Sequence, residues 1–139
     1  MTTKKLGLGF MRLPILGEGN ITNADYDQIN GMVDTFLSRG FTYFDTTYMY
    51  HRYMSEGILK KTLVDRHPRD SYTIATKMPT MFLKKEEDLE RIFNEQLKKI
   101  GVDYFDYYLL HCLDVNNFAT CNKLDAFSFV NRKKRSGAN

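Results

Sequence analysis

The chain has 139 residues, 42% of them hydrophobic and 27% charged, a composition that fits one ordinary folded domain and excludes a disordered chain. No apolar run approaches the ~20 residues of a bilayer span, and the start MTTKKLGLGFMRLP lacks an apolar signal region, so a cytoplasmic protein with no membrane contact is expected. Net charge is +3, yet removing the four cations of Arg132-Lys133-Lys134-Arg135 leaves 16 basic residues against 17 acidic ones, which argues against a nucleic-acid-binding face.

In chain order, Leu6 to Leu13 reads as a short strand loosened by Gly7 and Gly9 and stopped by Pro14, with a loop at GEGN, 17–20. Thr22 or Asn23 can cap a helix in which Tyr26, Ile29, Val33, Phe36 and Leu37 recur at helical spacing, and Gly40 ends it. Phe41 to Asp45 has the aromatic and β-branched content of a strand. A second helix fits Ser55 to Val64, with Ile58, Leu59 and Leu63 on one face, and HPRD at 67–70 breaks it. Ser71 to Lys77 is the next strand, closed by Pro79. Lys85 to Ile100 is the clearest helix: Leu89, Ile92, Phe93, Leu97 and Ile100 form an apolar stripe, acids lead its first turn, and Gly101 ends it. Tyr104 to Leu110 is a fourth strand running into His111. From Asp114 onward two helical pieces follow, the second turning Phe127 and Val130 inward before the basic run and a Ser-Gly-Ala-Asn end. Alternation of strands and helices predicts a parallel α/β sheet covered by helices.

Three of the strands end in a polar group, Asp45, Lys77 and His111, at intervals of 32 and 34 residues. A (β/α)8 TIM barrel devotes ~31 residues to each unit and builds its active site at the C-terminal ends of its strands. Three consecutive strands would thus deliver a carboxylate, an ammonium and an imidazole to one rim. A doubly wound sheet is disfavoured, because Leu6-Gly7-Leu8-Gly9-Phe10 offers G-x-G with no third glycine and no helix directly after it. The expected architecture is a partial barrel of about four β/α units, forming a single unit over residues 1–139.

Phe41 to Tyr53, FTYFDTTYMYHRY, sets six aromatic residues around Asp45. A phenol with an ordinary pKa near ~10 is a poor proton donor at neutral pH. A lysine ammonium ~4 Å away at an effective dielectric of ~20 is worth about 4 kcal/mol, enough to lower it by up to roughly 3 units. An acid beside that lysine would hold it in place while weakening the shift. Such a phenol is a general acid for a carbonyl oxygen becoming an alcohol, and a nearby imidazole could orient that oxygen.

Other polar residues are read more plainly. Tyr48 and Tyr53 line or pack the pocket, Asp106 makes a structural hydrogen bond within its strand, and His51 and His67 are loop histidines without ligand geometry. Cys112 and Cys121 form no disulfide framework. No metal site is expected, since a zinc set of His111, Cys112 and Cys121 would need adjacent strand residues to point the same way.

FDTTYMY at 44–50, ATKMP at 75–79 and DYYLLHCLD at 106–114 resemble three signature segments of the aldo-keto reductases, and the likeness extends to GFMRLP at 9–14 and SEGILKKTL at 55–63. That resemblance implies a tetrad in which Tyr50 donates the proton, Lys77 tunes it, Asp45 partners Lys77 and His111 orients a small carbonyl substrate. It also implies hydride transfer from NADPH without a metal, with Met11, Arg12 and Asp45 left to touch the nicotinamide end. In that family the grip on the cofactor phosphates comes mainly from the last two barrel loops, which have no counterpart in this sequence. The MRLP and SEGILKKTL segments are also similar to relatives with a C-terminal iron–sulfur domain, although no cluster-binding cysteines are present. A truncated barrel has unpaired edge strands and an uncovered inner face, so the chain is expected to be impaired alone, or to pair with a second copy or a complementary half-barrel. The alternative is a non-catalytic remnant or interaction module.

Overall fold

The computed structural model describes residues 4–135; the first three residues and the Ser-Gly-Ala-Asn end lie outside the described residues. Four strands, β1 (Gly7–Gly9), β2 (Tyr43–Asp45), β3 (Thr73–Pro79) and β4 (Tyr107–His111), form one sheet in the order β1-β2-β3-β4. Every pairing is parallel, with Gly9 opposite Asp45, Asp45 opposite Ala75, and Lys77 opposite Leu109. The helices between them are α1 (Tyr26–Ser38), α2 (Tyr50–Tyr53), α3 (Ser55–Leu59) and α4 (Glu87–Ile100), followed by α5 (Phe118–Lys123) and α6 (Ala126–Arg135). The fold is the expected run of β/α units, a parallel sheet that is part of an α/β barrel.

Strand alternation sorts the side chains onto two faces. Phe44, Ile74 and Met78 are fully buried and meet Val33, Phe36, Ile58, Leu63, Ile92 and Phe93 from the helices. Rings tile this layer: Phe36 meets Phe44 edge-on at 5.1 Å, and Phe93 meets Phe105, Tyr108 and Phe129 at 5.0–5.8 Å. Burying a side chain of this size contributes about 1.5–3 kcal/mol each. The opposite face carries Tyr43, Tyr107 and Leu109, and the last two are 53% and 44% exposed. Tyr43 and Tyr107 lean together at 5.4 Å across the sheet.

Several boundaries differ from the expectation for physical reasons. Asp25 caps α1, accepting from the Gln28 N–H at 3.1 Å, whereas Thr22 and Asn23 are engaged elsewhere. Both lie in a hairpin closed by the Ile15–Ala24 bridge, where Asn20 Oδ1 takes the Thr22 N–H and hydroxyl. The first strand is only three residues long, and Phe10 directly after it is fully buried. The third runs on to Pro79, which places Lys77 inside it instead of at its end. The fourth begins at Tyr107, so Asp106 precedes it; its carboxylate accepts from Arg69 at 2.7 Å and from the Ile74 N–H at 2.8 Å, the structural role expected of it. The helix expected at 55–64 is present, but after α3 it widens into a π-helical turn at Lys60–Val64. In α6 Phe129 is buried, with Phe127 and Val130 partly buried beside it.

The helix α4 is fixed at both ends. Asp88 accepts from the Lys84 and Lys85 N–H groups and from Arg91, and these bonds hold its carboxyl at about 2. Gly101 ends the helix with φ +77°, and a Cβ there would also strike the Lys60 side chain at 2.9 Å.

Candidate active site

The segment leaving β2 is tied down before it reaches Tyr50. Thr46 donates its N–H to Ala75 O at 2.9 Å, its hydroxyl pairs with Ser55 Oγ at 2.7 Å, and Ser55 in turn donates to Phe10 O. Thr46, Thr47 and Ser55 are fully buried. The loops after β1 and β2 and the start of α3 are thereby joined at the C-terminal end of the sheet.

At that rim the four expected side chains come together. Lys77 donates to both oxygens of Asp45, at 2.8 and 3.0 Å, and to the Thr46 carbonyl at 2.8 Å. Its ammonium stands 5.4 Å from the centre of the Tyr50 ring, on the ring face. Tyr50 meets His111 edge-on, with ring centres 5.9 Å apart, and Thr47 Oγ1 lies 3.2 Å from His111 Nδ1. Met11 and Arg12 are exposed between Phe10 and Leu13, just past the end of β1 and on the same rim, since Phe10 donates its N–H to Asp45 O.

The electrostatics differ from the expectation at one point. Burial pushes the Tyr50 phenol above its usual value, with Asp45 and then Cys112 adding to the rise. Lys77 does not pull it down, because its three hydrogen bonds go to Asp45 and Thr46 and it faces the ring. His111 moves the other way: burial lowers it, the Lys77 charge lowers it further, and Asp45 partly opposes both. The site therefore presents a protonated phenol and a neutral imidazole at neutral pH.

Residues that sequence reasoning missed hold this set in place. Gln96 of α4 donates through Nε2 to the Lys77 carbonyl at 2.9 Å and to Glu56 Oε1 at 2.8 Å, while its Oε1 accepts from the Tyr108 hydroxyl. Glu56 is fully buried; its Oε1 also accepts from Thr76, and Lys99 stands 3.6 Å from Oε2. Burial raises the Glu56 carboxyl, opposed by Thr76, Lys99 and Gln96. A signal was available, since Gln96 falls seven residues after Leu89 on the apolar stripe, where a polar side chain must be buried and satisfied. His51 was read as a plain loop histidine, yet it is buried and bonded to two backbone groups of the β1–α1 loop. Tyr48 packs as expected, against Tyr53 and Phe82, with its hydroxyl on Glu95.

Among the described residues, no group of three or more His, Cys, Asp or Glu stands where it could hold a metal ion, and no helix is long and apolar enough to cross a membrane. Within the basic run, Arg132 pairs with Asp125 and Lys133 with Glu90.

Comparison with known proteins agrees with this fold. Aldehyde reductase YPR1 of Saccharomyces cerevisiae is 29% identical over 110 residues, which cover 78% of this chain and 33% of that protein. Probable aldo-keto reductase 1 of Glycine max is 32% identical over 120 residues, covering 81% and 34%. This chain thus spans about a third of the length of both relatives. Among solved structures, the thermostable aldo-keto reductase Tm1743 superposes with a TM-score of 0.68 at 22% identity, over 95% of this chain and 45% of that one. An aldo-keto reductase from Klebsiella pneumoniae in complex with NADPH gives 0.64 at 23% identity, over 89% and 42%. The sequence profile of the Aldo/keto reductase family matches residues 5–138. A parallel sheet with Asp45, Tyr50, Lys77 and His111 gathered on its C-terminal rim, in a chain matched by that profile almost from end to end, belongs to the aldo/keto reductase family.

Proposed function

We propose that the chain carries the acid–base part of an NADPH-dependent oxidoreductase that reduces aldehydes or ketones to alcohols. The observation that carries this reading is the convergence of Tyr50 and His111, ring centres 5.9 Å apart, beside the Lys77–Asp45 pair. The residues present suit the nicotinamide end of the cofactor. A Cβ on Gly9, the register partner of Asp45, would meet nothing within 4 Å, so the sheet there is open to a flat ring, and Met11 and Arg12 border it. The cofactor supplies the hydride when bound.

The protein residues handle the oxygen. The Tyr50 hydroxyl, held above its ordinary pKa, keeps its proton until charge builds on the carbonyl oxygen and then donates it. In the tautomer whose Nδ1 accepts from the Thr47 hydroxyl, a neutral His111 keeps Nε2–H as a donor for that oxygen. Lys77, fixed by Asp45 and Thr46, lies against the Tyr50 ring face and holds that ring in place.

Turnover by this reading requires a complementary half-barrel or a second copy, as relatives two to three times longer suggest. The main phosphate grip would come from that other half, and a cytoplasmic setting would supply NADPH. A second reading, a non-catalytic remnant or interaction module, is favoured by the exposure of Tyr107 and Leu109 on the inner sheet face. A fluorescence titration with NADPH, run with light-scattering mass, separates the two. Saturable binding and oxidation of NADPH by a small aldehyde, reduced about 10²–10⁴-fold by Tyr50→Phe, supports the enzyme. Absence of an NADPH response up to millimolar cofactor from a chain that scatters as a dimer supports the remnant, and turnover untouched by Tyr50→Phe removes Tyr50 from its role.

A further inference from the structure

Directly after Tyr50 the backbone enters a conformation that L-residues reach only at a cost in free energy. His51, Arg52 and Tyr53 have φ of +52°, +50° and +69°, three consecutive non-glycine residues in the left-handed region. Single residues visit that region in turns; runs of them persist only where surrounding contacts over-determine them. The contacts are identifiable. Tyr53 at the end of the run packs edge-on against Tyr48 at 5.7 Å and beside Phe82 at 6.2 Å. His51 at its start is 7% exposed, and both of its ring nitrogens are engaged.

The partners of that ring have fixed polarity. The Leu13 N–H can only donate, and it points at Nε2 from 2.9 Å. The Ile21 carbonyl can only accept, and it lies 2.9 Å from Nδ1. The ring must therefore carry its one proton on Nδ1 and present a bare Nε2. Leu13 and Ile21 both belong to the loop between β1 and α1, the loop that sets Met11 and Arg12 on the rim.

We propose that His51 is a positioning residue: in the single tautomer protonated on Nδ1, it clamps the left-handed turn after Tyr50 onto the β1–α1 loop and so fixes the Tyr50 ring relative to His111 and Lys77. The inference rests on the reading of Tyr50 as proton donor for its purpose, but its geometry does not depend on turnover. The clamp also couples two sides of the site. Tyr50 and the Met11–Arg12 segment cannot move apart without breaking the buried bond to Leu13 or the part-buried one to Ile21.

The test uses the 139-residue chain labelled with ¹⁵N at histidine. Long-range proton–nitrogen spectra are expected to show His51 with a protonated Nδ1 and a bare Nε2; a proton on Nε2 instead would overturn the clamp. Through-space contact between the Tyr50 and His111 rings is then followed in two variants. His51→Phe keeps a ring but removes both hydrogen bonds, and loss of the Tyr50–His111 contact is expected while signals of β3 and α4 stay in place. His51→Gln offers an amide that can donate and accept, and recovery of the contact is expected. A Tyr50–His111 contact that survives in His51→Phe, or that Gln fails to restore in a folded chain, refutes the positioning role. Should His51→Phe fail to fold, the tautomer and the Gln variant still decide. A wild-type chain with the tautomer and the contact but no NADPH response would instead count against the enzyme reading alone.

Discussion

Tyr50 sits where two demands on a phenol compete. Burial and the Asp45 carboxylate raise it, while Lys77 is aimed at Asp45 and at the ring face. Replacing Asp45 by Asn removes a raising charge and leaves the Lys77 ammonium without its counter-ion, so both changes act downward on Tyr50. Asp45→Asn is expected to lower the Tyr50 titration midpoint, read as the phenolate absorbance absent from a Tyr50→Phe control; an unmoved midpoint would mean burial alone sets it. His111 gives a pH signature of the opposite kind. Its folded value lies below the ordinary 6.5, so on acidification the unfolded chain takes up the proton first. Stability tied to this group is intact above 6.5 and declines as pH falls from there toward the folded value, and His111→Gln is expected to flatten that part of a denaturation-midpoint profile. That Asp45, Lys77 and His111 meet on one rim was legible in the sequence from their regular spacing, whereas Tyr50 was placed beside them by the family resemblance. The charge balance among them was not, since it depends on which face of Tyr50 the ammonium meets. Nor was His51, whose partners are backbone groups that leave no pattern in residue type.

At the scale of elements, α4 does more than cover the sheet. Its Gln96 reaches the Lys77 carbonyl, which lies past the last β2–β3 pair at Asp45 and Ala75. Gln96→Leu would strand that carbonyl and the Tyr108 hydroxyl at once, and would leave Glu56 Oε1 with Thr76 alone. At about 1–3 kcal/mol for each buried group left without a partner, partly relieved by relaxation, the loss is expected to be on the order of 3 kcal/mol in urea unfolding. A change under ~1 kcal/mol would show that water replaces the amide. The N-terminus of the same helix provides an acid-labile element. Asp88 is held at about 2, below its ordinary 3.8, by the Lys84 N–H first and then Arg91 and the Lys85 N–H. Its contribution is whole above 3.8 and disappears as pH falls through about 2, so Asp88→Asn should remove the steepest part of the acid limb in a circular-dichroism titration. The helices α1, α3 and α4 were readable from periodicity, and Ser55 was read as the start of α3, but the cap of α1 was not. Thr22 and Asn23 have the right chemistry for a cap, but a hairpin consumes both, and Asp25 is the next acid along.

For the whole molecule, the sheet is finished on one side and open on the other. The helix-side face is dense with rings, whereas Tyr107 and Leu109 stand on a face with no helix over it among the described residues. The outer edges of β1 and β4 also lack a strand partner among the described residues. Such edges template pairing with other chains. Tyr107→Lys is expected to leave the unfolding midpoint nearly unchanged, as this ring is 53% exposed, while reducing concentration-dependent scattering and hydrophobic-dye binding. Scattering as strong as in the parent would assign association to the edges instead. Alternating elements and the rim spacing made the barrel-like order predictable, but the exposure of an inner face is a property of what lies opposite, which one chain's pattern does not encode.

The tetrad has one further consequence. Asp45, Tyr50, Lys77 and His111, along with Gln96 and Glu56 that brace them, all fall between positions 45 and 111, on three neighbouring strands and the segments joining them. On the reading proposed above, the proton chemistry is encoded in a single uninterrupted stretch, separate from whatever recognises the far end of a dinucleotide. On that reading, a recombination crossover downstream of position 111 would exchange redox-carrier preference or substrate range while inheriting the proton donor whole, and this stretch would serve as a transplantable cassette for shuffling among barrels of the same family.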